Sequence, residues 1–211
     1  MFLFAFALGV AASDVPGAHA DARPDGLGVL LERCAASPGL TAKFVEEKQI
    51  ALLSVPLRSE GTLHFSPARG LVRHTSKPSP QSVLVTDKDL VFWDGKATKK
   101  VALGSSATLA TFARAFSNLL TANRAALEKT FTLAFHPHDA GDAWDLVLTP
   151  TEPDLKKMLS SIEIEGTGLE LSLLRIREAN GDVSTTRFSS VDPAKRYTDA
   201  ELDRLFRVPP G

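Results

Sequence analysis

Apolar and polar residues alternate with period two over most of this chain. Gly61-Thr62-Leu63-His64-Phe65 shows the pattern in its shortest form. Leu71 to Thr75, Ser82 to Thr86 and Leu90 to Asp94 repeat it. Each run is bounded by turn formers: Pro67 and Gly70, then Pro78 and Pro80, then Asp87-Lys88-Asp89. Upstream, Leu40 to Leu53 reads as one long strand. It puts Ala42 and Phe44 on one face and Lys43, Glu47 and Gln49 on the other, because side chains two apart point the same way. Val55-Pro56 breaks it, and a second strand follows from Leu57 to Phe65. Lys99 to Leu103 is a further short strand. Strands return at Thr130 to His136, Ala143 to Thr149, Ile162 to Glu165, Leu169 to Glu178 and Val183 to Ser190. Asn180-Gly181 between the last two is a strong hairpin signal.

The period changes to helical in a few places. Gly26 to about Ala36 carries Leu27, Leu30, Leu31 and Cys34 on one face and stops at Pro38-Gly39. Leu109, Phe112, Ala113, Phe116, Leu119 and Leu120 form a single apolar stripe. Asn123 to Lys129 predicts a weaker helix. Pro153 suits the first turn of a short helix over Asp154 to Leu159, and Asp199 to Leu205 predicts one or two turns. The order is helix, about ten strands interrupted by helices, and a short helix near the end. That order predicts an α+β fold with an antiparallel sheet. So many consecutive short strands imply a strongly curved sheet, an incomplete β-barrel, with helices capping its concave apolar face. No linker or repeat divides the chain.

The first residues carry a different signal. Phe2 to Ala12 is an apolar run of signal-peptide length, too short to span a bilayer, and Ala18-His19-Ala20 supplies a small-x-small site. Cleavage is expected after Ala20, leaving 21–211 as a single domain; no Lys or Arg precedes the apolar run. The chain holds 24 Lys and Arg against 25 Asp and Glu. The leader takes one acid, Asp14, so the exported chain is neutral. Nothing in this balance points to nucleic acid. Cys34 is the single cysteine. It excludes an intrachain disulfide and reads as a small buried hydrophobe. No cysteine follows the cleavage site to carry a lipid anchor.

Candidate chemistry is sparse. His136-x-His138 lacks a third metal ligand at a recognisable spacing. His64 and His74 lie on strands where they could face solvent. Gly104-Ser105-Ser106 is not a nucleophile elbow, and Gly166-Thr167-Gly168 lacks the helix a phosphate loop needs. Glu46 and Glu47 point to opposite faces, whereas Glu163 and Glu165 share one. No catalytic residue, metal or cofactor is expected, and the chain is not read as an enzyme. What remains is a container. Its expected lining is Phe44, Leu63, Phe65, Leu71, Leu84, Val91, Trp93, Leu109, Phe112 and Phe116. The same residues could fill a solid core, as in an exported structural or adaptor domain. A lipid-acting hydrolase using Glu163 or Glu165 is a further alternative. Arg73 shares a strand face with Leu71, so it is a cation on an apolar face and needs partners.

Gly61-x-Leu63-x-Phe65 followed by Pro67, Gly70, Arg73, Pro78, Val85, Asp87 and Trp93-Asp94 resembles the LolA family of periplasmic outer-membrane lipoprotein carriers. The stripe from Leu109 to Leu120, Trp144-x-Leu146-x-Leu148-x-Pro150 and the Asn180-Gly181 hairpin fit the same order, so the resemblance covers about Leu27 to Val208. It implies an incomplete barrel with a hydrophobic cavity for acyl chains. It also implies a soluble, monomeric periplasmic carrier that takes an acylated lipoprotein or lipid from an inner-membrane transporter to an outer-membrane acceptor. Arg73 matches the family's arginine, which holds a helical lid through backbone carbonyls. Two positions depart from the pattern: His74 stands where an aromatic residue commonly follows that arginine, and Thr75 where a Glu often comes next.

Overall fold

The computed structural model describes residues 26–102, 123–138 and 142–208. The leader, the expected helix with Leu109, Phe112 and Phe116, and Asp139 to Gly141 lie outside the described residues. Within them, helix α1 (Gly26–Ala35) leads into six strands: β1 (Leu40–Gln49), β2 (Leu57–Ser66), β3 (Gly70–Lys77), β4 (Gln81–Val85), β5 (Asp89–Trp93) and β6 (Thr98–Ala102). Helix α2 (Arg124–Thr130) precedes β7 (Phe131–Pro137) and β8 (Ala143–Pro150). The short helix α3 (Pro153–Lys156) precedes β9 (Leu159–Thr167), β10 (Glu170–Glu178) and β11 (Val183–Asp192), and α4 (Asp199–Leu205) comes last. The predicted long strand is shorter than its apolar run: β1 ends at Gln49, and Leu52 and Leu53 lie beyond it. Leu159, expected at the end of a helix, instead opens β9.

All eleven strands form one antiparallel sheet in the order β6-β5-β4-β3-β2-β1-β11-β10-β9-β8-β7. Each half is a run of hairpins between sequence neighbours. The two halves meet at one seam, where β1 pairs with β11 from Lys43 opposite Ser189 to Gln49 opposite Val183. Strands β6 and β7 are the two ends of the order, so the sheet does not close.

The pairing register assigns every side chain to one of two faces. The inner face carries Phe44 opposite Phe188, Leu63 opposite Arg73, Phe65 opposite Leu71, Leu146 opposite Ile164, and Ile164 opposite Leu174. Helix α1 lies on this face, where Leu27, Leu30 and Leu31 are buried. They join Leu127, Phe131, Trp144, Leu146, Leu148, Leu155, Leu159, Ile162 and Ile164 in one core cluster. The core therefore sits over the β7–β10 half. These three buried leucines contribute roughly 1.5–3 kcal/mol each to holding α1 in place. Two residues past the end of α1, the Ser37 hydroxyl bonds to the carbonyls of Gly39, at 2.9 Å, and Pro193. That contact ties the α1–β1 turn to the segment leaving β11.

The outer face is polar over much of its area, but one patch is covered. The segment after β11 returns across β1 to β4 and ends in α4. Thr198 and Glu201 form a reciprocal capping box at the start of α4. Beneath this segment Val72 is fully buried, and His64 and Ser82 are nearly so.

Candidate functional site

A cavity of about 140 Å³ lies between α1 and the inner face. Leu30, Leu31 and Cys34 form its roof. Leu40, Leu63 and Phe65 wall it on the β1–β2 side, and Trp144, Leu146, Ile164, Leu171, Leu174 and Phe188 on the β8–β11 side. Strands β2 and β8 are five places apart in the sheet. In a flat sheet that would be roughly 24 Å at about 4.8 Å per strand. Residues of both strands line one small cavity, so the sheet is strongly curved with its concave side under α1. The Trp144 indole N–H donates to the Gly168 carbonyl at 3.0 Å, which satisfies the polar atom of the largest wall residue. The walls are otherwise almost wholly aliphatic or aromatic. Burial pushes the Cys34 thiol pKa up, with Arg33 pulling the other way, so at neutral pH Cys34 is a protonated, apolar part of the roof. A wider groove of about 470 Å³ runs along the β7 edge beside α2, but it is shallow and includes Arg124, Glu128 and two threonines.

Of the expected lining, Leu63 and Phe65 reach the cavity. Phe44 and Leu71 are buried on the same face beside it. Leu84, Val91 and Trp93 do not share that face. Their register partners are Val72 for Leu84, Leu84 for Val91, and Ser82 for Trp93, all on the outer side. The cause lies in the hairpins: one residue more or less in a turn inverts the parity of the next strand. The inner-face residues of these strands are Val83, Val85, Leu90 and Phe92, all half-buried. The C-terminal wall was legible as alternation in Trp144-x-Leu146-x-Leu148 and Ile162-x-Ile164, and the roof as the α1 stripe. Nothing in the sequence pattern alone brings those segments opposite β2.

Arg73 stands on the inner face, as its spacing from Leu71 requires. Its guanidinium donates to Glu46 Oε2 at 2.9 Å and Ser59 Oγ at 3.2 Å, and it lies 4.1 Å from the centre of the Phe44 ring. Its Nε–H is buried without a hydrogen-bond partner among the described residues. Glu46 also accepts from Thr186 at 3.0 Å. Burial pushes the Glu46 carboxyl up, but the hydrogen bond and charge of Arg73, then Thr186 and Lys48, carry it below its ordinary value. Glu46 is therefore the counter-ion of Arg73 within the described part of the sheet. The resemblance assigns Arg73 the backbone carbonyls of a helical lid, and the expected helix with Leu109, Phe112 and Phe116 lies outside the described residues.

His64 and His74, on strand positions that could face solvent, are both engaged under the C-terminal segment. His64 bonds to Thr41 Oγ1 at 3.0 Å and Thr62 Oγ1 at 3.1 Å. His74 Nε2 lies 2.6 Å from the Leu205 carbonyl, which can only accept, so this nitrogen carries a proton; its Nδ1 lies 2.8 Å from Ser82 Oγ. His74 thus points away from Arg73 and fastens α4. Its departure from the family pattern concerns the outer face.

Of the two acids that share a face on β9, Glu163 is paired. Glu163 accepts from Arg175 at 2.6 Å and from Arg177 at 2.9 Å, and those cations hold its carboxyl below its ordinary value against burial. His138 meets Asp145 at 2.9 Å on an exposed hairpin, and no cluster of three metal-binding side chains occurs among the described residues. No helix among them is long and apolar enough to cross a membrane.

The sequence matches the family described as outer membrane lipoprotein carrier protein LolA-like over residues 19–206. No curated protein matches it. Similar solved structures include a LolA superfamily protein from Nitrosomonas europaea, at 9% identity and a TM-score of 0.41, covering 82% of this chain and 95% of that one. A DUF1329 family protein from Desulfovibrio piger aligns at 13% identity and a TM-score of 0.49, covering 85% and 96%. A putative outer membrane lipoprotein-sorting protein domain from Vibrio parahaemolyticus aligns at 11% identity and a TM-score of 0.46, covering 86% and 98%.

Proposed function

The chain belongs to the LolA-like family of outer membrane lipoprotein carrier proteins, and from that membership we propose that it carries an acylated lipoprotein or lipid with the acyl chains held between α1 and the inner face. The observation that supports this reading is the apolar cavity roofed by Leu30, Leu31 and Cys34. Its 140 Å³ is close to the size of a void that takes a benzene-sized molecule and below the roughly 300 Å³ at which ligand pockets begin. Loading therefore requires α1 to lift. Exposing its three buried leucines costs on the order of 6 kcal/mol, and about eight methylenes buried at ~0.8 kcal/mol each offset that. Short acyl chains then bind weakly and long ones well. No bond is made or broken in such a cycle. In this reading the leader directs export, cleavage follows Ala20, and the mature monomer moves through the periplasm from an inner-membrane donor to an outer-membrane acceptor.

The test is titration of the purified protein with fluorescent fatty-acyl probes of increasing length. Affinity should rise steeply beyond about eight carbons, and Leu63→Trp, which places an indole in the cavity, should weaken the longest probe at least tenfold. No binding at any length, or equal binding by Leu63→Trp, would count against the carrier reading and favour a solid-core adaptor.

A further inference from the structure

The hairpin loop from Ala51 to Leu57, the first residue of β2, holds four of the seven exposed large hydrophobic residues among the described residues. Leu52 is 94% exposed, Val55 71%, Leu57 54% and Leu53 46%. Single exposed aliphatic residues are ordinary, but four within six positions form a patch. Met158, 49% exposed, adds to it. Its carbonyl accepts from Ala179, and Ala51 N–H donates to Asp182 Oδ1, both at 3.0 Å, so Met158 and the loop flank the same β10–β11 turn. The loop is held firmly. Leu53 N–H closes a turn onto the Ile50 carbonyl at 2.9 Å, and Lys48 meets Glu178 at 2.5 Å at its base. A loop anchored at both ends, with its aliphatic side chains in solvent, is not waiting to fold into this domain.

We propose that this loop is a membrane-contacting tip that inserts into the apolar edge of a phospholipid bilayer. Two features favour lipid over a protein partner. The tip is exposed and aliphatic, and none of its residues lines either cavity, so it offers no pocket for a partner's anchor and no aromatic anchor of its own. A fluid hydrocarbon phase needs neither. The shoulder also carries both charges in pairs: Lys48 with Glu178, Lys77 with Glu60 at 2.8 Å, and exposed Arg58 opposite Glu47 in the strand register. That balance matches zwitterionic headgroups, which present both signs, and gives no attraction specific to anionic lipid. Insertion to the headgroup–acyl boundary, about 5–10 Å deep, suits a loop of this size. The tip lies at the Gln49 end of β1, roughly 30 Å from Leu40 at about 3.4 Å per residue, and none of its residues lines the cavity. The contact is thus separate from the proposed acyl site and does not depend on it.

Flotation of the purified protein with phosphatidylcholine vesicles tests this at low and high salt. The protein should float equally at both, and Leu52→Asp with Val55→Asp should reduce the bound fraction at least tenfold without changing its melting temperature. A second readout places the loop itself. Leu53→Trp should gain fluorescence that brominated phosphatidylcholine quenches, beyond the quenching seen with Trp93 and Trp144 alone. The proposal is overturned if the wild-type protein does not float, if the double Asp variant floats as well as wild type, or if the added fluorescence of Leu53→Trp is unquenched. Flotation that needs phosphatidylglycerol and disappears at high salt also overturns it, because that is a charge contact rather than apolar insertion.

Discussion

Arg73 reaches its counter-ion across an intervening strand, and the residues between explain how. Glu46 is on β1 and Arg73 on β3; on β2, between them, stand Ser59, Gly61 and Leu63. Ser59 and Gly61 leave a low path over which the guanidinium reaches Phe44 and Glu46. Gly61 has a second reason to be glycine. A Cβ there would sit 1.9 Å from the His74 carbonyl oxygen, at the place where the β2–β3 register shifts. Gly61→Ala must push the two strands apart and should cost about 2–3 kcal/mol in denaturant unfolding. The ion pair itself is half-buried, so Arg73→Leu should cost about 1–2 kcal/mol rather than the 3–5 of a fully buried pair. Its sharper signature is in titration. The Glu46 pKa is lowered in the folded protein, so its contribution is present above the ordinary glutamate range and lost as pH falls through the folded value. Without Arg73, burial dominates and the Glu46 pKa should rise, which carboxylate NMR titration of Arg73→Leu reads directly. An unchanged Glu46 titration would mean that another cation holds it. The sequence made Arg73 conspicuous through its spacing from Leu71. It could not give Glu46, because strand adjacency is a property of the folded sheet.

Helix α4 shows the same limit at the level of an element. Its position was readable from Asp199 to Leu205, and its capping box stands in the letters Thr198 to Glu201. Thr198→Ala should therefore cost about 1 kcal/mol, measured by thermal or denaturant melts. What the pattern could not give was the surface it covers, because His64 and His74 occupy strand positions where solvent exposure is the ordinary outcome. In the fold His64 is pushed down to about 4, by burial first and then by His74, Lys195 and Arg204. Its folded pKa lies below its unfolded value of 6.5. The stability it contributes is thus complete above pH 6.5 and is lost as pH falls from there to about 4. Wild type should lose about 1–3 kcal/mol more than His64→Gln over that window. Equal losses in both proteins would show that other groups set the acid limit. Tyr197, whose hydroxyl donates to the Leu40 carbonyl at 2.7 Å and whose pKa burial raises to about 12, stays neutral throughout. The strands were located well by alternation and turns. The face of each was not, as Leu84, Val91 and Trp93 show, because parity passes through every hairpin and one bulge inverts all that follows.

Across the whole molecule, the sheet is uneven about its seam. The core cluster under α1 draws on β7 to β10, whereas Val83, Val85, Leu90 and Phe92 on β4 and β5 are only half-buried. Free energies of local opening follow buried apolar contact, so the two halves should not open together. Amides of β8 and β9 should exchange hydrogen only on global unfolding, and those of β5 and β6 through smaller openings at least tenfold faster. The cavity sits between these regions, with Leu63 and Phe65 on its open side. An acyl chain longer than the cavity would have to continue along the inner face over β3 to β5, past Leu71, Val85 and Leu90. Loading with a long-chain acyl probe should then slow exchange in β4 and β5 and leave β8 and β9 unchanged. It should also slow maleimide labelling of Cys34, because the same chain fills the space beneath the thiol. The two readouts together distinguish paths: protection of Cys34 without protection of β4 and β5 would confine the chain to the 140 Å³ cavity. Protection of neither would place acyl binding elsewhere on the molecule, and the softness of the β4–β6 half would then have no connection with cargo.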